Sequence, residues 1–156
     1  GLQLMEKQKV KLTYGLRERQ WRNYVLRAIS QKKTTATDFI VQQLETRLDS
    51  VVFRLGIVPS RSIARQVVSH GHILVNSRRV TIPSFRVSPG DKISVAGGSK
   101  DKKVFSSIQT TLKKYQPPKW LTFDKEKMEG EIVSWPVAEE LKLPFNLPLL
   151  IEFYSR

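Results

Sequence analysis

The architecture follows from two neighbouring runs of sequence, LETRLDSVVFRLG (residues 44–56) and SRSIARQVVSHGHILVNSRRVTIPSFRVSPGDKISV (residues 60–95). Apolar residues first recur at helical spacing and then give way to short runs rich in β-branched residues. One helix is predicted to begin at Thr37 and to end at the glycine that closes the first run. A second is predicted between an N-cap at Ser60 and a stop at Gly71. We therefore expect two helices followed directly by a small sheet.

Two more helices are predicted outside these runs. The segment YGLRERQWRNYVLRAI (14–29) follows a polar, basic opening and places its apolar residues in one stripe at helical spacing. A later helix is predicted from apolar residues that recur every three or four positions: Val104, Ile108, Leu112 and Tyr115.

The remaining segments are predicted to be extended. HILVN and RVTI flank Asn76-Ser77, which is predicted to form a hairpin turn in which Ser77 must adopt a costly positive φ unless the turn is of another type. KISV, WLTFD and EIVSW are further predicted strands, with Gly130 in the turn between the last two. LPLLIEFY near the end is predicted as an apolar strand or buried extended segment. The fold class is therefore α+β: a helical subdomain plus helices packed on a short-stranded, mostly antiparallel sheet.

The charge of the chain indicates a polyanionic partner. It has 27 Lys and Arg against 14 acidic residues, a net charge of +13 and a pI of about 10.2. The excess is regional, since residues 1–33 hold nine basic and two acidic side chains. Cysteine is absent, which excludes disulfides and thiolate metal sites. No apolar run is long enough to cross a bilayer, so a membrane partner is not expected.

Arginines off the apolar stripes are the leading candidates for RNA binding. Arg47 and Arg54 are two helical turns apart, and Arg61 and Arg65 are one turn apart, so each pair is expected to project outward from one side of its helix. The planar guanidinium binds phosphate with two hydrogen bonds and stacks on bases. The helix start at Ser60 is expected to offer N–H groups to a further phosphate.

Two further sets of side chains are expected to extend this surface. One lies at the helix–strand junction and hairpin tip: His70, Asn76, Arg78 and Arg79. The other lies in the N-terminal segment: Lys7, Lys9, Lys11, Tyr14, Arg17, Arg19 and Arg22. The alternative for any such charged set is an ordinary solvated surface. That alternative is disfavoured for residues 60–70, which contain no acidic residue.

Catalysis and metal binding are poorly supported. His70 and His72 have the spacing of a metal pair on a strand, but they lack cysteine or nearby acidic co-ligands, so a phosphate or surface role is favoured for them. The carboxylates of residues 124–131 are interleaved with lysines, as in a solvated turn. Phosphate-loop and dinucleotide-binding glycine patterns are absent. We expect no enzyme activity, no cofactor and no small-molecule substrate.

The two runs quoted above resemble the RNA-binding module named after small-subunit ribosomal protein S-four. EKQKVKLTYGLRERQWRNYV before the module, and PKWLTFDKEKMEG and LLIEFYSR after it, resemble the flanking parts of that ribosomal protein family. The resemblance implies a module at 44–124 and a mostly helical subdomain assembled from 1–43 and 125–156. The family's N-terminal arm is expected to be missing, so roles that depend on that arm are not carried over.

The same resemblance implies a role in the ribosome. A member of this family is expected to bind small-subunit rRNA at a multi-helix junction of the 5′ domain, to nucleate assembly, to contact ribosomal protein S-five and to contribute to decoding accuracy. Its location would be the ribosome of a bacterial cytoplasm or of an organelle. The alternative is the RNA-binding module of an RNA-modifying enzyme or of a stress-response protein. A modifying enzyme would add a larger catalytic domain, and a stress factor would lack the 1–43 segment.

Overall fold

The computed structural model describes residues 1–106, 108 and 114–155, and it confirms the predicted α+β class. The chain divides into two compact units: unit 1 contains 1–45 and 136–156, and unit 2 contains 46–135. None of the helices in these described ranges is long and apolar enough to span a bilayer. The longer helices are α1 (Leu2–Tyr14), α2 (Glu18–Ser30), α3 (Ala36–Glu45), α4 (Leu48–Arg54), α5 (Arg61–Ser69) and α6 (Leu147–Tyr154). The strands are β1 (Ile73–Val75), β2 (Arg78–Arg79), β3 (Lys92–Val95), β4 (Leu121–Asp124) and β5 (Glu129–Ile132).

Unit 1 is built from α1, α2, α3 and α6 around one apolar core. The stripe predicted on α2 is buried, with Trp21 and Val25 fully inaccessible to solvent. The opening segment, which had no predicted structure, forms α1, and its Val10 is buried in the same core. Gly15 ends α1 with a φ of 67°, so the helix predicted to begin at residue 14 begins only at Glu18.

Unit 2 contains a five-stranded antiparallel sheet in the order β2-β1-β3-β5-β4. Alternate residues of β1 and β3 enter a core that they share with α4 and α5. β5 lies beyond residue 124, yet it pairs with β3 through the centre of the sheet. The segment after the module's helices is therefore part of the same sheet.

The helix predicted from Thr37 to Leu55 is wrong as a single element. It divides into α3 and α4 because Thr46 lies in a turn and Arg47 is extended, and both residues pair with a distant segment. The Val87 N–H donates to the Thr46 carbonyl at 2.9 Å, and the Leu48 N–H donates to the Phe85 carbonyl at 2.8 Å. These bonds replace contacts that a continuous helix would have made within itself.

The predicted β-hairpin turn is confirmed. Asn76 and Ser77 have φ values of 50° and 67°, so both central residues take the positive φ of a type I′ turn, and Ser77 accepts that conformation without being glycine. β2 is shorter than predicted, since Thr81 and Ile82 are exposed and lie outside the sheet. Gly130 was wrongly placed in a turn: it lies within β5, where an added Cβ would come within 2.7 Å of Leu55.

The C-terminal prediction is also wrong. LPLLIEFY forms α6, whose N-cap Asn146 accepts a hydrogen bond from the Leu149 N–H at 3.0 Å. Leu147 and Leu150 are buried in the unit 1 core. The helix predicted around Ile108 and Leu112 falls mostly outside the described residues.

Candidate nucleic-acid interface

Helix α5 holds two candidate arginines off its buried stripe. Ser60 caps the helix as predicted, with its hydroxyl accepting from the Ile63 N–H at 3.1 Å. Ala64, Val67 and Val68 face the core, whereas Arg61 and Arg65 are only partly buried. The helix therefore presents guanidinium groups on one side and an apolar surface on the other.

The two guanidinium groups of α5 have different surroundings. The Arg61 guanidinium carbon lies 4.6 Å from the centre of the Phe53 ring, and its Nη2 donates to the Ser50 hydroxyl at 3.4 Å. Arg65 has a buried Nη1 with no hydrogen-bond partner among the described residues. Arg65 as a whole is only partly buried, and none of the ion pairs among the described residues compensates its charge.

The hairpin tip supplies two exposed arginines, Arg78 and Arg79, on β2. The side chain of Asn76 is not available for a ligand in the same way. Its Nδ2 donates to the Asp91 carboxylate at 3.0 Å, and its Oδ1 accepts from the Lys92 N–H at 2.9 Å. Asn76 therefore fixes the turn that positions the arginines.

Three of these arginines have no ion-pair partner among the described residues. None of the ion pairs formed within the described ranges involves Arg65, Arg78 or Arg79. His70, which ends α5, is exposed. We refer to Arg61, Arg65, His70, Arg78 and Arg79 as the α5–hairpin surface.

The expectation that Arg47 projects outward is wrong. Arg47 precedes α4 and has extended backbone, so the two-turn spacing from Arg54 does not apply. Its side chain is 4% exposed and forms an ion pair with Asp49, with Nη2 and Oδ2 separated by 3.1 Å. Arg54 is half-buried, and its carbonyl accepts from the Tyr115 hydroxyl at 2.7 Å. The four predicted arginines are therefore not equivalent.

The N-terminal lysines are present on α1 but are paired with carboxylates. Lys7 and Lys11 contact opposite oxygens of Glu18 at 3.0 and 2.8 Å, and Lys9 contacts Glu6 at 3.2 Å. Hydrogen bonds from Lys11 and Lys7 lower the pKa of Glu18. The charges of these three lysines are therefore partly compensated by two carboxylates within unit 1.

The other N-terminal candidates divide into exposed and buried residues. Arg17, Arg19 and Arg22 are exposed at the start of α2. Tyr14 was expected at the RNA, and that expectation is wrong: its ring is 1% exposed, and its hydroxyl donates to the buried Glu45 carboxylate at 2.5 Å. A basic sequence neighbourhood did not reveal that Tyr14 lies on the inner side of α1.

Residues outside the predicted set also carry charge near these elements. His72 was considered as a metal ligand, with a phosphate or surface role preferred, but it was not selected as a site residue, and neither was Lys102. In the structure the pKa of His72 is lowered by burial and, after it, by the charges of Lys102, His70 and Arg79. The sequence signal available was the basic run that includes Lys100, Lys102 and Lys103, but its proximity to His72 depends on the tertiary fold.

Of the carboxylates in residues 124–131, Asp124 and Glu126 take part in the β4–β5 turn as predicted, whereas Glu129 and Glu131 lie in β5. Asp124 Oδ1 accepts from the Glu126 and Lys127 N–H groups at 3.0 and 3.2 Å, which closes the turn between β4 and β5. Across the part of the chain that the structure describes, no cluster of three or more His, Cys, Asp or Glu residues could hold a metal ion.

Comparisons with known proteins agree with this arrangement. Residues 1–45 match the family model for the ribosomal protein S4/S9 N-terminal domain, and residues 46–93 match the model for the S4 domain. The chain is 47% identical to small ribosomal subunit protein uS4 of Halothermothrix orenii over 156 residues, which cover all of this chain and 74% of that protein. It is 46% identical to the uS4 protein of Thermus thermophilus, with the same coverage of both chains. The chain therefore belongs to the uS4 family of small ribosomal subunit proteins, and it is a structural ribosomal component rather than an enzyme.

Proposed function

We propose that this chain binds small-subunit rRNA directly, at a junction of several RNA helices, through the α5–hairpin surface. The observation that carries this proposal is that Arg65, Arg78 and Arg79 of unit 2 form no ion pair with an acidic residue among the described residues. Exposed cations without counter-charges favour association with a polyanion, because neutralising phosphates releases condensed counterions.

The geometry favours recognition of RNA shape over base sequence. Side chains cannot reach the base edges in the deep, narrow groove of A-form RNA, so contacts go mainly to phosphates and 2′-hydroxyls. A rigid helix and a short hairpin, each anchored in one core, hold their guanidinium groups at fixed positions. A protein that fixes several phosphates in this way restricts the angles between the RNA helices that carry them.

The family resemblance adds three broader roles to this proposal. By fixing an RNA junction, the chain would nucleate assembly of the small-subunit body. It would contact neighbouring small-subunit proteins, including protein S-five, and contribute to translational accuracy. Its location would be a bacterial ribosome or the ribosome of an organelle. Similarity to bacterial uS4 proteins supports the bacterial location.

The direct test replaces Arg61 and Arg65 together by alanine. Binding is measured to an in vitro transcript of the 5′ domain of Thermus thermophilus small-subunit rRNA over a series of salt concentrations. We expect affinity to fall roughly 10- to 100-fold and the slope of log affinity against log salt to become shallower by about 1.4–1.8 for two lost phosphate contacts.

A matched control removes the same charge elsewhere in unit 2. Lys125 and Lys127 are exposed in the β4–β5 turn beside Asp124 and Glu126. Their double alanine variant should retain nearly full affinity. Equal losses in the two double variants would indicate a response to net charge alone and would contradict the proposed surface.

A further inference from the structure

A second feature of unit 2 lies where α5 leads into β1. The His72 ring places Nδ1 2.7 Å from the Ser99 hydroxyl, and its edge faces Phe105 with ring centres 6.2 Å apart. Ser99 is 7% exposed and lies in a short 3-10 turn after β3. His72 is therefore held in one orientation by residues from a different part of the chain.

The charged groups that lower the pKa of His72 are basic side chains. Burial is the main cause that lowers the pKa of His72, followed by Lys102, His70 and Arg79. The His70 ring centre is 6.4 Å from that of His72. Arg79 lies over the α5–β1 corner, with its Cδ 3.3 Å from where a side chain on Gly71 would begin. Like charges converge here on a polar, partly buried ring.

We propose that this corner, defined as His70, His72, Arg79, Ser99 and Lys102, binds one phosphodiester group of the RNA. The inference rests on the proposed function and adds residues from the loop after β3 to the interface. A bound phosphate would relieve the repulsion among the cations, and Arg79 and Lys102 would supply charge-assisted hydrogen bonds. With the Ser99 hydroxyl donating to Nδ1, neutral His72 carries its proton on Nε2, which then serves as a further donor.

A metal cation is a poor ligand for the same corner. Two imidazoles alone do not complete a zinc site, and the neighbouring charges are positive, which opposes a second cation. The chemistry of the corner therefore selects an anion.

The first experiment uses the fact that the chain contains only two histidines. Their imidazole proton signals are followed by NMR during pH titrations. The His70→Gln variant retains only the His72 signal and so shows which signal belongs to which histidine. In the free protein, Lys102→Ala should raise the His72 midpoint, because it removes a cation that lowers it. An unchanged midpoint would show that Lys102 does not face His72 and would overturn the proposal.

Two anions then distinguish the source of the phosphate. A short RNA duplex should raise the His72 midpoint in the parent protein, since a nearby phosphate favours the imidazolium form. A response to inorganic phosphate but not to the duplex would indicate a free-anion site and would overturn RNA binding at this corner. A response to neither anion would overturn the site altogether.

A binding experiment separates this inference from the proposed function. Lys102→Ala should weaken binding to the 5′-domain transcript roughly three- to tenfold and make the salt slope shallower by about 0.7–0.9. Lys103→Ala is the matched control, because Lys103 is exposed and is not among the groups that act on His72. It should change affinity less than about twofold.

The outcomes are distinguishable. Equal effects of Lys102→Ala and Lys103→Ala, with the Arg61 and Arg65 double variant still impaired, would remove the corner from the interface and leave the proposed function standing. A parent protein that fails to bind the transcript would refute both.

Discussion

The two units carry positive charge in different electrostatic settings. In unit 1, Lys7 and Lys11 of α1 share one carboxylate, Glu18 of α2. In unit 2, Arg65 of α5 and the hairpin arginines have no ion-pair partner among the described residues. The difference shows that a basic composition alone does not identify a binding surface. Whether a packed neighbour supplies an acid determines how much charge is available for a ligand.

The same contrast exists within unit 2. Arg47 and Arg65 are both arginines next to helices that pack on one core, but Arg47 is buried against Asp49. Asp49 also accepts from the Ser50 N–H at 2.7 Å, and the Ser50 hydroxyl accepts from Arg61. The Arg47–Asp49 ion pair is therefore part of the interior. Through Asp49 it fixes the start of α4, where Ser50 contacts the Arg61 guanidinium.

The largest expected effect comes from breaking that buried pair. Asp49→Ala leaves the Arg47 guanidinium buried without its counter-charge, which should cost about 3–5 kcal/mol of unfolding free energy. Urea unfolding is followed by the fluorescence of Trp120, which is buried in unit 2, in a background that carries Trp21→Phe and Trp135→Phe. The exposed Glu126→Ala is the control and should change stability by less than about 0.5 kcal/mol.

A complementary background retains Trp21, the buried tryptophan of unit 1, as the only tryptophan. If Asp49 acts through its ion pair with Arg47, Asp49→Ala should lower the urea midpoint reported by Trp120 in unit 2 more than the midpoint reported by Trp21 in unit 1. A native unfolding midpoint for Asp49→Ala in the Trp120 background would contradict the structural role of the pair.

A smaller effect is expected for Tyr14→Phe in unit 1. The change removes the hydroxyl that donates to the fully buried Glu45 carboxylate, and it should cost about 1–3 kcal/mol. Affinity for the 5′-domain transcript, measured below the unfolding transition, should be unchanged because the ring is inaccessible. Lost affinity with native stability would instead place Tyr14 at the RNA.

The sequence was informative wherever a structure depends on nearby residues. The cap at Ser60, the buried stripe around Trp21 and the positive φ of the Asn76-Ser77 turn all follow from local chemistry, and each is confirmed. The break between α3 and α4 depends on hydrogen bonds from 83–87, about forty positions away, so local periodicity could not reveal it. α6 is apolar on most sides, and a short apolar run does not distinguish a strand from a buried helix.

The candidate site was predictable to a lesser extent. Residue type and spacing selected Arg65, Arg78 and Arg79, which lack acidic partners among the described residues. They also selected Arg47 and the α1 lysines, whose carboxylate partners are fixed only by folding. The spacing rule assumed that Arg47 was helical, and composition could not show that α1 packs its lysines next to Glu18.

The comparison between the two units can be sharpened by releasing the paired lysines. Glu18→Gln removes the carboxylate shared by Lys7 and Lys11, and it should increase affinity for the 5′-domain transcript roughly two- to fivefold if unit 1 faces RNA. Glu126→Gln, an exposed carboxylate of unit 2 with no lysine ion pair in the described ranges, is the matched control. An equal gain in both variants would mean that only net charge matters.

The smallest expected effect is the pH dependence of the same pair. The pKa of Glu18 is lowered in the folded protein by hydrogen bonds from Lys11 and then Lys7, so its ionised form stabilises the fold. That contribution is fully present above the unfolded-state pKa of about 4.3 and is lost as the pH falls through the lower folded-state value. The melting temperature of Glu18→Gln should therefore lie slightly below that of the parent at pH 7, and the gap should close in acid. Because Glu18 is half exposed, 1 M salt should also narrow the gap at pH 7. A gap that persists unchanged at pH 3 would show that the contribution of Glu18 is not ionic, and the charge compensation assigned to unit 1 would then be wrong.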